Sequence, residues 1–340
     1  MNIYTLENDF LRIKLIDFGA SWLSCQVKFA NEEREVLVTT NVENWHKQTA
    51  YFGATIGRYA NRIENGRYYL NGEMFNLTPN NGKHTLHGGV IGADKQVWAV
   101  DFFDTQAVRF AKIFADGEEG FGGEVTATVE YRLNGNQVEI EFNAVSQQDT
   151  PLCLTNHAYF NLSGEKTIHQ HFLQLNANYF LPVTAEAIPT GQIKSVEKTS
   201  FDFRVGKLIG RDLLADHEQK QVKGYDHAFL LHSSKPSLGQ IKSKKDFNLT
   251  ACDPNAIVQA GNLRLSLYTT KPALQLYTGN WLGGQPDLQG NAYVDYAGIA
   301  LEPEYLPDTP NRSQWWKFGG ISRANEPYYA LTYYKFDVVE

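Results

Sequence analysis

The chain has 340 residues, with 31 Lys plus Arg against 38 Asp plus Glu, a formal net charge of −7; a mildly acidic chain without a basic patch is not built for nucleic acid or anionic lipid. Hydrophobic residues make up 42% and charged ones 20%, as in soluble globular proteins, and without an apolar run of about 18 residues no membrane span is expected. Cys25, Cys153 and Cys252 are odd in number and far apart, which fits neither a disulfide framework nor a zinc pattern; free thiols and an N-terminus without a basic-then-apolar leader point to the cytoplasm.

Along the chain, weak helical periodicity at 41–48 and 209–218 predicts two short helices. Residues 67–77 alternate around Asn71-Gly72, and 125–144 alternate more strongly around Asn134-Gly135-Asn136. Each reads as a hairpin, because Asn-Gly turns match the twist of antiparallel strands. Leu263, Leu265 and Leu267 alternate again, as do the tyrosines of 328–336. Segments 233–246 and 283–290 read as surface loops, and the Gly-rich stretch 117–123 reads as a turn because no amphipathic helix follows it. Aromatic residues at 13% and 28 glycines also favour strands and turns. Many strands on tight turns without alternating helices predict an antiparallel all-β architecture. With no linker, repeat or low-complexity run, one domain over 1–340 is expected.

Two segments concentrate chemistry. Residues 152–162, LCLTNHAYFNL, read as a strand with Leu152, Leu154, Ala158 and Phe160 on one face. Cys153, Thr155, His157, Tyr159 and Asn161 take the other. A lone strand histidine is usually structural; a phenol and an amide beside it make a site equally good as an explanation. In 298–311, GIALEPEYLPDTPN, Glu302 ends an apolar run. Desolvation there raises a carboxyl's pKa and makes it a better base near neutrality, although a strand-end glutamate reaching water explains the position as well. Pro303, Pro307 and Pro310 predict that the ladder breaks after Glu302.

Asp226 opens another apolar run and reads equally as a turn residue. His87 precedes Gly88 and Gly89, which permit close backbone approach. Arg62 could anchor a sugar hydroxyl or a carboxylate, or form a surface ion pair. His169 and His171 share a strand spacing but lack a third ligand, so a solvated loop is expected.

Six strings in order resemble the aldose 1-epimerase (galactose mutarotase) family: GRYANRI at 57–63, TLHGG at 85–89, NHAYFNL at 156–162, KGYDHAFLL at 223–231, LQLYTGN at 274–280 and LEPEYLPDTPN at 301–311. The resemblance implies a large antiparallel β-sandwich, the galactose mutarotase-like supersandwich, with its site in an open cleft. It implies Glu302 as general base and His157 as general acid. Arg62, Asn61, His87, Asp226 and Gln275 become sugar-binding residues, with Tyr159 beside the acid. The implied activity is interconversion of α and β anomers of free hexoses, D-galactose and D-glucose, without metal or cofactor, by a monomer or homodimer. An imidazolium is needed to protonate the ring oxygen, and carboxylates at Asp226 and Glu302 are expected to raise the pKa of His157. Pro303 and Glu304 replace the family's usual small or hydroxyl residue and Gln, Ala93 its aromatic, and Gly122 its proline. Three other readings stay open: a glycoside hydrolase using Asp226 and Glu302, a non-catalytic sugar-binding module, and a phosphohexose enzyme, which would need a cationic cluster.

Overall fold

The structure is a computed structural model that describes residues 1–29, 32–232, 243–246 and 252–339. Most of the predicted loop 233–246 lies outside the described residues. Two antiparallel sheets, of nine and seven strands, dominate, and the all-β sandwich expected from the sequence is the fold.

The strongest hairpin signal sits in the nine-stranded sheet. Strands Val125–Asn134 and Gln137–Ser146 pair residue for residue, from Val125 opposite Ser146 to Asn134 opposite Gln137. The tyrosine-rich C-terminal strand Pro327–Val338 joins the second arm, and Leu263–Thr269 lies on its other side. Alternate residues turn inward: Val129, Tyr131, Ile140, Leu265 and Leu267 are all fully buried. The smaller hairpin also forms, as Arg67–Leu70 and Glu73–Asn76, with Asn71 at φ 51 and Gly72 at φ 87.

The seven-stranded sheet packs its apolar face on the same core. Leu274, Leu276, Ile299 and Leu301 join one buried cluster with Val129, Ile140 and Leu265 of the larger sheet. Each such side chain, taken fully out of water, contributes about 1.5–3 kcal/mol. An N-terminal four-stranded sheet closes one end of this core with Leu11, Ile13, Leu15 and Trp22.

Several expectations need correction. Segment 152–162 is not one strand but two short ones, Thr155–Asn156 and Tyr159–Phe160, which pair with different sheets. The break falls at His157, whose backbone bonds to Gly53 and Ala54 instead. Pro303 does not end its strand: Ile299–Glu304 stays extended, with Pro303 opposite Leu274 and Glu304 opposite Ala273. On its other side this strand is paired only at Ile299 and Ala300, so the proline sits where no ladder needs its N–H. The helix predicted at 209–218 resolves into a 3₁₀ turn, Ile209–Arg211, and a single α-helical turn, His217–Gln221. Segment 41–48 is a 3₁₀ helix, Val42–Lys47, capped by the Asn41 side chain. His171 is fully buried rather than solvated, and its Nε2 accepts the Leu162 N–H at 2.9 Å.

Candidate active site

Strand register builds the floor of the site. Ala228, Gln275 and Glu302 lie opposite one another across three strands of the seven-stranded sheet. Two residues along, Asp226, Tyr277, Ala300 and Tyr159 form a parallel row. Cross-strand partners share a face, so Gln275, Glu302, Asp226, Tyr277 and Tyr159 all point away from the leucines of the core. Above this floor lies an open cleft of about 390 Å³.

All eight residues singled out in the sequence line that cleft: Asn61, Arg62, His87, His157, Tyr159, Asp226, Gln275 and Glu302. Of the polar face expected in 152–162, only His157 and Tyr159 reach it. Cys153 lies beneath, against Lys271 and Tyr305, and Asn161 turns to the carbonyls of Glu165 and Ala297.

His157 Nε2 stands 3.4 Å from Glu302 Oε1, with both side chains almost wholly buried. His157 Nδ1 has no hydrogen-bonding partner among the described residues. Burial pushes the imidazole down to about 4, which corrects the expectation that neighbouring carboxylates raise it. Glu302 moves well upward, first because of burial and then because Asp226 is close, with Arg62 opposing. Both shifts act in one direction: burial disfavours the imidazolium at His157 and the carboxylate at Glu302.

His87 is held differently. Its Nδ1 accepts the Asn61 N–H at 3.2 Å, and its own N–H donates to the Asn61 carbonyl. That leaves Nε2–H as the donor facing the cleft. Burial, then the neighbouring His157, keeps this ring neutral as well. On the far side, Gln275 Nε2 donates to Asp226 Oδ1 at 2.6 Å, and Arg62 Nη1 lies 3.9 Å from Asp226 Oδ2. Arg62 Nε donates to Asn81 Oδ1. Gln275 Oε1 is buried without a partner among the described residues, which leaves an acceptor for a ligand hydroxyl.

His87, His157 and Glu302 bring one nitrogen or oxygen each to within 4.8 Å of one another. Two of these groups are imidazoles whose protonation burial disfavours, and the third is a carboxyl that burial pushes upward.

Among the cleft's tyrosines and tryptophans, sequence reasoning missed three. Tyr51, with φ 59, places its ring 4.7 Å from His87 and 5.8 Å from His157, and nothing in its local sequence signals this. Tyr277 was legible, since alternation from Gln275 puts it on the same face. Trp281 is two-thirds exposed at the rim with Lys223 Nζ 4.1 Å above its ring; an aromatic inside a turn-rich stretch was the available signal.

The fold is thus a β-sandwich whose open, polar cleft holds a buried imidazole–carboxyl pair. Residues 2–335 match the family model described as aldose 1-epimerase, and the chain belongs to that family, a family of isomerases. It is 42% identical to the aldose 1-epimerases of Haemophilus influenzae and Escherichia coli, over 98% of this chain and 95% and 94% of theirs. Bovine galactose mutarotase is 36% identical, over 98% of this chain and 94% of its own. Among solved structures, an aldose epimerase homologue from C. elegans superposes with a TM-score of 0.87 at 28% identity, covering 100% of this chain and 99% of that one. Galactose 1-epimerase from Lactobacillus acidophilus gives 0.83 at 28% identity, covering 99% and 94%. Membership of an isomerase family sets aside the hydrolase and the non-catalytic module. Among the described residues, no helix is long and apolar enough to cross a membrane.

Proposed function

We propose that the chain interconverts the α and β anomers of free D-galactose and D-glucose in the cytoplasm, as a single-domain enzyme without metal or cofactor. Glu302 takes the proton from the C1 hydroxyl while His157 protonates the ring oxygen. The C1–O5 bond breaks to give the open aldehyde, rotation about C1–C2 presents the other carbonyl face, and the pair runs in reverse to close the ring. Arg62, Asn61, His87, Asp226, Gln275 and Tyr159 hold the hydroxyls. No group is transferred and no electrons change hands.

The observation that carries this reading is the 3.4 Å contact between His157 and Glu302 in a sugar-sized cleft. The working form, carboxylate and imidazolium, differs from the resting neutral pair by one proton moved across that contact. Burial that opposes the charged pair before reaction favours the neutral pair after ring opening. The driving force for both transfers therefore lies in the desolvated site.

Arg62 is the one lysine or arginine among the described residues lining the cleft, and Asp226 already faces it. That supports a free sugar over a phosphorylated one, which would need a cationic cluster. Polarimetry on freshly dissolved α-D-galactose and α-D-glucose tests the activity, and Glu302→Gln and His157→Asn test the two assignments. Near-normal turnover in both variants would sink them.

A further inference from the structure

Glu304 has no place in the chemistry above, yet it is a wholly buried carboxyl two residues from Glu302 on the same strand face. Its Oε1 accepts a long bond, 3.4 Å, from Asn61 Nδ2, and its Oε2 has no partner among the described residues. Lys271, the buried cation nearby, does not pair with it. That ammonium donates to the Tyr328 hydroxyl at 2.6 Å and sits 3.6 Å and 4.6 Å from the ring centres of Tyr305 and Tyr328.

We propose that Glu304 serves this site as a neutral carboxylic acid: a positioning residue that anchors the Asn61 loop without placing a carboxylate beside Glu302. Its role in turnover rests on the mutarotase reading; its protonation state does not. A buried carboxylate needs several strong donors or a close cation, and this one has a single long amide contact and an orphaned oxygen. The groups that face it divide unevenly. Glu302 on its own strand and Asp226 on the Asp226–Leu231 strand oppose its charge, whereas Asn61 and Lys271 favour it; burial and Glu302 prevail, moving it well upward. An ionised Glu304 would also oppose deprotonation of Cys153 and Tyr59.

Asn61 converts this acid into geometry. Its Nδ2 points to Glu304, so its Oδ1 is free to accept the Arg62 N–H at 2.8 Å, and its main-chain N–H reaches His87 Nδ1. Asn61 thus links Glu304 to the Arg62 main chain through its side-chain amide and to the His87 ring through its own main chain. Asn61 itself holds φ 65, a left-handed conformation that persists when its surroundings fix it.

The deciding measurement is the infrared difference spectrum of wild type minus Glu304→Gln at pH 7. A protonated-acid carbonyl band present in wild type and lost in the variant is expected; a difference containing only carboxylate stretches overturns the proposal. Glu304→Ala supplies the same subtraction if the glutamine variant does not fold. In kinetics, Glu304→Gln imitates the neutral acid, so kcat at neutral pH should stay within about twofold and the alkaline end of the plateau should extend upward. Glu304→Ala, which loses the Asn61 bond, should raise KM about fivefold. A role in packing alone would lower Tm without moving the alkaline limb. A tenfold or greater loss of kcat in Glu304→Gln would show that the charge is needed and overturn the proposal. Wild type without action on galactose would instead sink the mutarotase reading, with the infrared result still deciding the state of Glu304.

Discussion

The Val125–Ser146 hairpin and the cleft are built by opposite rules. In the hairpin, ten consecutive residue pairs keep register around a two-residue turn, and side chains alternate between core and surface. The cleft is assembled from strands as short as two residues and from backbone in the left-handed region. Tyr51, Asn61, His87 and Ala187 all have positive φ, and all four line the cavity. Non-glycine residues adopt that conformation at a cost of order 1–3 kcal/mol each, so they persist where surroundings over-determine them. The regular sheet supplies the stability; the irregular segments give up part of it to bring an imidazole, a carboxyl and an amide together.

That contrast predicts that damage to the two regions separates activity from stability. The largest effect should come at the His157–Glu302 pair. Glu302→Gln and His157→Asn should each lower kcat/KM by about 10²–10⁴-fold, with Tm unchanged or raised because a buried ionisable group is removed. Comparable loss of Tm would show that the pair is structural. The reverse holds in the scaffold. Phe142→Ala, in the buried core, should cost about 3–5 kcal/mol in denaturant unfolding, yet leave kcat of the folded fraction unchanged.

Smaller changes refine the division. Asp226→Asn keeps an oxygen for Gln275 but removes the charge facing Arg62, and should raise KM about 10- to 100-fold with kcat less affected. A pure kcat loss would place Asp226 in the chemistry. Lowering the pH gives the pair a second proton once His157 titrates near 4. The carboxyl then has no base to pass its own proton to, so kcat/KM should be flat near neutrality and fall about tenfold per unit below about pH 4.

The smallest effect belongs to a buried histidine that does no chemistry. His171 is also pushed down to about 4, by burial, but its Nε2 is occupied by Leu162. The unfolded chain takes up that proton near 6.5, above the folded value, so this site's contribution is complete above about 6.5 and lost as pH falls toward 4. His171→Gln should flatten the pH dependence of stability in that window by up to about 1.4 kcal/mol per unit. An unchanged slope would mean that His171 is protonated in the fold.

The hairpin and the strand faces were legible in the sequence because period-two alternation states them directly. The eight cleft residues were legible for a different reason: six short strings match a known family in order. The local physics of each residue alone left Glu302, Asp226 and His87 ambiguous. Cross-strand register decides what Asp226, Gln275 and Glu302 share, and register is a non-local property. Tyr51 was invisible for the same reason, since its ring meets His87 and His157 only after three distant segments converge. The neutral state of His157 could not be anticipated from its charged neighbours, because burial outweighs them and burial is settled only by the packed fold.

The most direct test of the account is polarimetric decay of α-D-galactose with wild type and with Glu302→Gln, each checked for folding. Wild type should speed the approach to the same final rotation, and the variant should return it nearly to the buffer rate. An unchanged decay with folded wild type, or a variant as fast as wild type, would contradict the assignment of Glu302 and His157 as the proton-transfer pair of a mutarotase.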